Sequence, residues 1–330
     1  MFENIKPVTN EEYFFAAMSD GSITPPEPQT TEECYLAAMS GNYNGELPEP
    51  QTREQAFMKA AVDKGGTVQN VEWVENAEET TFSFAILDNI RPFVKAVRIP
   101  YGVVVVGDGC FNGFAMLEKV EIPSTVKAIN GGAFNACSSL KTVNISEGVV
   151  TIGNGVFGGC TSLKEIEFPA SVRTINAGIF TNCSVENVKL NEGIEAFDAG
   201  AFCNAYSLKS INIPNSVTSL NTGVFSNCVA LPEITIPSSV KIITGSFYGC
   251  TSLTKVSLAE GIVDLADEAF KNCTSLKSIA LPSTLTSIAE TTFEGCENLT
   301  NIYVPWSEGE VANAPWGATN ATIHYNYTGE

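Results

Sequence analysis

A single histidine, His324, stands among the 330 residues. Catalysis by Ser-His or Cys-His pairs, and metal sites built from several histidines, have almost nothing to draw on. No run of about 18 apolar residues occurs, so no membrane-spanning helix is expected. Positive charge is also scarce, with 18 Lys and Arg against 37 Asp and Glu and a net charge of −19. Residues 1–90 hold 16 acidic and 4 basic side chains, and the rest hold 21 and 14. So acidic a surface repels phosphate backbones and anionic lipid, which argues against nucleic acid or a membrane as partner. The opening MFENIKPVTN has no basic region followed by an apolar one, so no secretory leader is expected. A cytoplasmic protein, or one exported or assembled by another route, fits that opening.

What the chain does have is a repeat. Phenylalanines recur at Phe111, Phe134, Phe157, Phe180, Phe202, Phe225, Phe247, Phe270 and Phe293, 23 residues apart with two intervals of 22. One missing residue falls between Cys183 and Val185, the other between Ile243 and Phe247, both in expected turns. Six positions after most of these Phe comes Leu, as in Leu140, Leu163 and Leu253. Aliphatic pairs such as Val120/Ile122 and Ile211/Ile213 follow, each split by one polar residue. That alternation predicts a short strand with one buried face, which Pro then ends in most units (Pro123, Pro169, Pro214, Pro237, Pro282, Pro305). A 23-residue unit cannot bury its apolar face alone, but stacked units can, as a solenoid of parallel strands with right-handed crossovers.

Cysteine recurs three residues after the Phe, at Cys137, Cys160, Cys183, Cys228, Cys250, Cys273 and Cys296. Gly or Asn usually precedes it, predicting a turn closed by a left-handed residue with the Cys pointing inward. Phe114 and Ala205 fill the same slot in two units, so the slot reads as packing. Zinc needs ligands that converge on a point, and single-file thiols do not converge. Disulfides between neighbouring units lie within Cα reach, yet parallel Cβ vectors aim them poorly. Cys34, Cys110 and Cys203 stand off this ladder, which predicts greater accessibility.

The pattern L-x-x-V-x-I-P-x-S-V-x-x-I-x-x-x-A-F-x-G-C resembles the BspA-type leucine-rich repeat, a bacterial class named for a surface adhesin. The resemblance covers about residues 97–305 and implies an α/β repeat solenoid with a parallel sheet that binds protein or glycan without catalysis. Binding would use the outward strand positions: Glu121, Asn144, Glu167, Lys189, Asn212, Thr235, Ser257 and Tyr303. These are polar and mixed, and no ligand footprint stands out among them. No catalytic residue, metal site or cofactor is expected. Asp264, Asp267 and Glu268 lack the spacing of a calcium loop and read as a solvated turn. His324 alternates with apolar residues and reads as a strand-edge surface residue.

Residues 1–66 hold a second repeat: TNEEYFFAAMS, TTEECYLAAMS and TREQAFMKAAV. Each opens on a capping box (Thr9 with Glu12, Thr30 with Glu33, Thr52 with Gln55), predicting short helices joined by Pro-rich connections. These units resemble N-terminal repeats of phage and prophage virion proteins. That resemblance implies an alternative role as a virion structural protein, attached or self-associated through residues 1–66, and a location on a virion rather than a cell surface. Residues 67–96 are expected to cap the first unit, with TFSFAIL as a strand. Residues 306–330 are expected to cap the last, with Trp306 and Trp316 as its cover or, alternatively, as a ligand site.

Overall fold

The computed structural model describes residues 71–72, 81–82, 94–99 and 103–328. The helical repeats expected over residues 1–66 lie outside the described residues, and Cys34 with them. Two rows of short strands run the length of the solenoid. One row holds strands of two to four residues, from Val71–Glu72 through Lys119–Ile122 and Glu233–Ile236 to Thr322–His324. The other holds two-residue strands, from Thr81–Phe82 to Ser287–Ile288. Every strand pair is parallel, and the register follows the repeat: Val97 faces Val120, which faces Val143. The shortened unit is absorbed as expected, since Asn187 faces Glu165 and Val185 is fully buried in the Leu slot.

The described residues hold strands and turns but no helix, so there the expected α/β class is corrected to β with turns. The hydrogen bonds give the reason. Along the Phe segment, alternate N–H groups leave the turn for the next coil: Gly109 to Gly131 O, Phe111 to Ala133 O, Gly113 to Asn135 O. Those between them close three-residue turns, such as Asn112 to Gly109 O and Phe114 to Phe111 O. An α-helix needs every N–H for its own i−4 carbonyl, and stacking takes half of them away. The left-handed closure is present at Asn182, Asn204, Asn227 and Asn272 and at Gly159, Gly249 and Gly295, with φ between 56° and 74°.

Inside, the nine repeat phenylalanines form one continuous stack. Successive ring centroids lie 5.2 to 6.1 Å apart and no pair tilts by more than 23°. Burying each ring contributes about 1.5–3 kcal/mol. Beside it runs the cysteine ladder, of free and buried thiols. Each has a polar contact invisible in the sequence. Cys137 Sγ donates to Phe111 O at 3.1 Å, Cys160 to Phe134 O at 3.2 Å, and Cys273 to Phe247 O at 3.2 Å. Cys110 is corrected: it is fully buried, in the slot before the Phe that Ala133 and Val156 fill in later coils. Cys203 is half-buried.

A third seam joins successive coils on the polar edge, where two sequence types alternate. Glu147-Gly148-Val149 stacks beneath Pro169-Ala170-Ser171. The Glu147 carboxylate accepts the N–H groups of Ala170 and Ser171 at 3.1 and 2.9 Å. Ser171 Oγ accepts from Gly148 N and donates to Val149 O, both at 2.8 Å. Glu192-Gly193 repeats this with Asn215 and Ser216, and Glu260-Gly261 with Ser283 and Thr284. Glycine is required in the acidic coil: a Cβ on Gly148, at φ +125°, would run into Ser124 O.

Candidate functional site

The long-strand face carries the outward positions expected to bind, and among the described residues its hydrogen-bond ladder is interrupted in three places: after Thr142–Ile145, after Ser210–Ile211 and after Lys255–Leu258. The second interruption coincides with a proline. At the residue after the repeat Leu, neighbouring coils donate an N–H to the preceding coil. Lys209 donates to Glu186 O at 2.8 Å and Thr254 to Pro232 O at 2.8 Å. Pro232 occupies that position in the coil between them and has no N–H to give. Ser210–Ile211 and Glu233–Ile236 lie unpaired to one another.

The surrounding side chains respond. Asn212 turns its amide back onto the previous coil, accepting from Leu190 N at 2.9 Å and donating to Leu190 O at 2.6 Å. Asn221 likewise donates to Phe197 O at 2.9 Å, where the second row of strands breaks. The polar seam also fails here, because Pro237-Ser238-Ser239 stacks on Pro214-Asn215-Ser216 instead of on an acidic coil. The N–H that would reach Ser239 belongs to Ser216 and is already bound to Glu192. Ser239 Oγ is left buried without a partner.

Between the separated strands opens a groove of about 560 Å³. Its floor is Ile211, Ile213 and Ile234, and its walls present Ser210, Asn212, Asn215, Thr235 and Ser257. The charges on its rim are matched. Lys209 pairs with Glu186 at 2.7 Å and Lys255 faces Glu233 at 3.9 Å. Hydrogen bonds from Lys209 and then Lys164 hold the Glu186 carboxyl below its ordinary range. The groove offers hydroxyl and amide groups over an apolar floor, with little net charge. Such a site suits a neutral polar ligand that lies across the strands.

Of the outward residues expected to bind, Asn212, Thr235 and Ser257 meet in this groove. The others are spread along the face. Glu121 is engaged by Arg98 at 2.7 Å and Lys119 at 2.6 Å, and Glu167 by Lys189 at 2.7 Å. Asn144 is exposed and is the register partner of Glu121. Tyr303 stands apart at the C-terminal end. Its ring stacks on His324 at 4.6 Å and 16°, and meets Tyr327 at 4.8 Å. His324 Nε2 is 2.8 Å from Asn301 Oδ1. Outward position alone did not single out the groove, but Pro232 after Leu231 is the signal that could have. Trp316 is fully buried with its Nε1 donating to Ala312 O at 2.7 Å, and Trp306 is nearly so. Both cover the last coil rather than offer a ligand surface.

No helix among the described residues is long and apolar enough to cross a membrane. The description "BspA type Leucine rich repeat region" matches residues 91–209 and 195–314, in six copies. The sequence matches no curated protein. Among solved structures, a leucine-rich repeat protein from Bacteroides ovatus is similar at 27% identity and TM-score 0.54, over 69% of this chain and 68% of that one. One from Eubacterium ventriosum is 21% identical, TM-score 0.44, over 78% of each chain. A leucine-rich cell surface protein from Faecalibacterium prausnitzii is 24% identical, TM-score 0.37, over 78% of this chain and 87% of that one. With the repeat, the parallel ladders and the family match in agreement, the chain belongs to the BspA-type leucine-rich repeat family.

Proposed function

We propose that this protein is a non-catalytic recognition module that binds protein or glycan on its long-strand face, centred on the groove at Pro232. The observation that carries the reading is that groove. Among the described residues it is the place where strand pairing and the polar seam give way between the same two coils, the second strand row breaking one coil earlier, and its open walls are hydroxyl and amide groups. An interruption that leaves a buried hydroxyl unsatisfied costs stability, and ligand contacts there would offset the cost. The single histidine is engaged with Asn301 and Tyr303 and has no nucleophile assigned to it. Adhesion at a bacterial surface is the role that fits a family of surface proteins.

The test is an array of glycans and immobilised proteins probed with the full chain and with the double variant Thr235→Arg/Ser257→Arg. Both positions are solvent-facing, so the variant should keep its unfolding midpoint. Loss of the wild-type hits in the variant supports the groove; hits that survive undiminished reject it. The virion alternative rests on the repeats of residues 1–66. It predicts that the full chain is a multimer by light scattering while a chain starting at Val68 is a monomer.

A further inference from the structure

We infer that the aromatic wall formed by Tyr303, His324 and Tyr327 is a second binding site, for the ring of a neutral pyranose sugar. It stands independently of the groove.

The wall lies on the outward face, where core packing does not call for it. Residues 302 and 304 point inward and are fully buried, and Trp306 and Trp316 close the end of the core. Tyr303 and His324 are register partners on neighbouring parallel strands. Their rings are 4.6 Å apart, close to the ~4.8 Å spacing between strands. The rings therefore stack along the solenoid axis, and the second face of Tyr303 points back toward the preceding strand. The residue registered with it there is Ala280, exposed and only a methyl. An aromatic face thus stands over a low step, with the exposed hydroxyl of Ser278 on the same strand.

An aromatic face carries partial negative charge. The C–H groups of a pyranose face carry partial positive charge, and they meet such a ring over its full area while the hydroxyls stay at the rim. None of its three side chains is a carboxylate, and His324 is tethered to Asn301. A neutral sugar suits this chemistry better than an ionic one. Asn301–Tyr303 is paired on both sides, so no peptide strand can add at Tyr303 itself, and the free edge of the sheet lies one strand away at Thr322–His324.

The experiment is titration of the full chain with cellohexaose and with chitohexaose, by calorimetry and by saturation-transfer NMR. The variants are Tyr303→Phe, Tyr303→Ala and Ala280→Arg. Binding of either oligosaccharide is expected, unchanged in Tyr303→Phe and weakened about tenfold in Tyr303→Ala. Ala280→Arg leaves the wall intact and fills the step, so it should abolish binding while the unfolding midpoint holds. No binding of either oligosaccharide at millimolar concentration would overturn the inference, as would binding indifferent to Ala280→Arg. Binding lost with the Thr235→Arg/Ser257→Arg variant but kept in Ala280→Arg would move the sugar to the groove and overturn it equally.

Discussion

On the turn side of the solenoid, nine phenylalanine rings follow one another without a gap, and the cysteine ladder runs beside them. On the strand side, the hydrogen-bond ladder of the same coils stops three times. At Pro232 the two sides are directly comparable. The rings of Phe202, Phe225 and Phe247 there keep 5.2 Å spacings, among the shortest in the stack, while Ser210–Ile211 and Glu233–Ile236, across the first of those two gaps, are unpaired. Apolar burial is non-directional and asks only for volume. A strand ladder asks for an N–H at each rung, and Pro232 removes one at this break. The turn side carries cohesion, and the strand side is where sequence can vary and open surface.

The sharpest way to break this contrast is to strike the turn side. Phe225→Ala removes a fully buried ring with stacked neighbours on both sides and is expected to cost about 3–5 kcal/mol. Urea unfolding measures it, and a loss under 1 kcal/mol would mean that the stack is not what holds the coils. A medium effect should come from alkali. Burial pushes the thiols of Cys110 and Cys250 up to about 12 and that of Cys183 to about 11. A folded pKa above the unfolded one means that their contribution is intact below about pH 8.5. It then fades as pH climbs toward 12. Unfolding midpoints should fall across that window, and alkylation mapped by mass spectrometry at pH 8.5 should find Cys203 before the ladder. Cys296 is the exception, lowered by the neighbouring Cys273 thiol, and should be the first ladder thiol to react. Rapid native labelling of Cys160 or Cys228 would contradict the burial argument.

The smallest expected effect is on the strand side. Pro232→Thr restores the missing N–H, and a new ladder bond is worth about 0.5–1.5 kcal/mol. The freer unfolded chain takes back about 0.4–1 kcal/mol, so stability should barely move. Hydrogen exchange should show a newly protected amide at position 232, and array binding should fall as the groove narrows. A large gain in stability with undiminished binding would separate the break from recognition.

Most of the fold was legible because its information is apolar and periodic. The Phe, Leu and aliphatic-pair slots recur at fixed spacing, and even the shortened unit at Val185 keeps its inward residues inward. What escaped reading depends on contacts between coils that are polar and need geometry. The bond from Cys137 to Phe111 O spans 26 residues, and nothing in a Cys or a Phe announces it. Cys110 stood off the ladder and looked accessible, yet it fills a neighbouring buried slot. The site was least legible of all. Outward residues are free of the packing constraint that makes a repeat visible, so Asn212, Thr235 and Ser257 look no different from Asn144 until Pro232 brings them together.

The alternation along the polar seam has its own consequence. An acidic-glycine coil supplies the carboxylate and the open N–H, and the proline-serine coil above it supplies the receivers. The coils are therefore not interchangeable beads but couplets, each half written for the other. Lengthening or shortening such a rod by a couplet leaves every hydroxyl answered. Removing a single acidic coil sets two proline-serine halves together, and the molecule already displays the result in the stranded hydroxyl of Ser239.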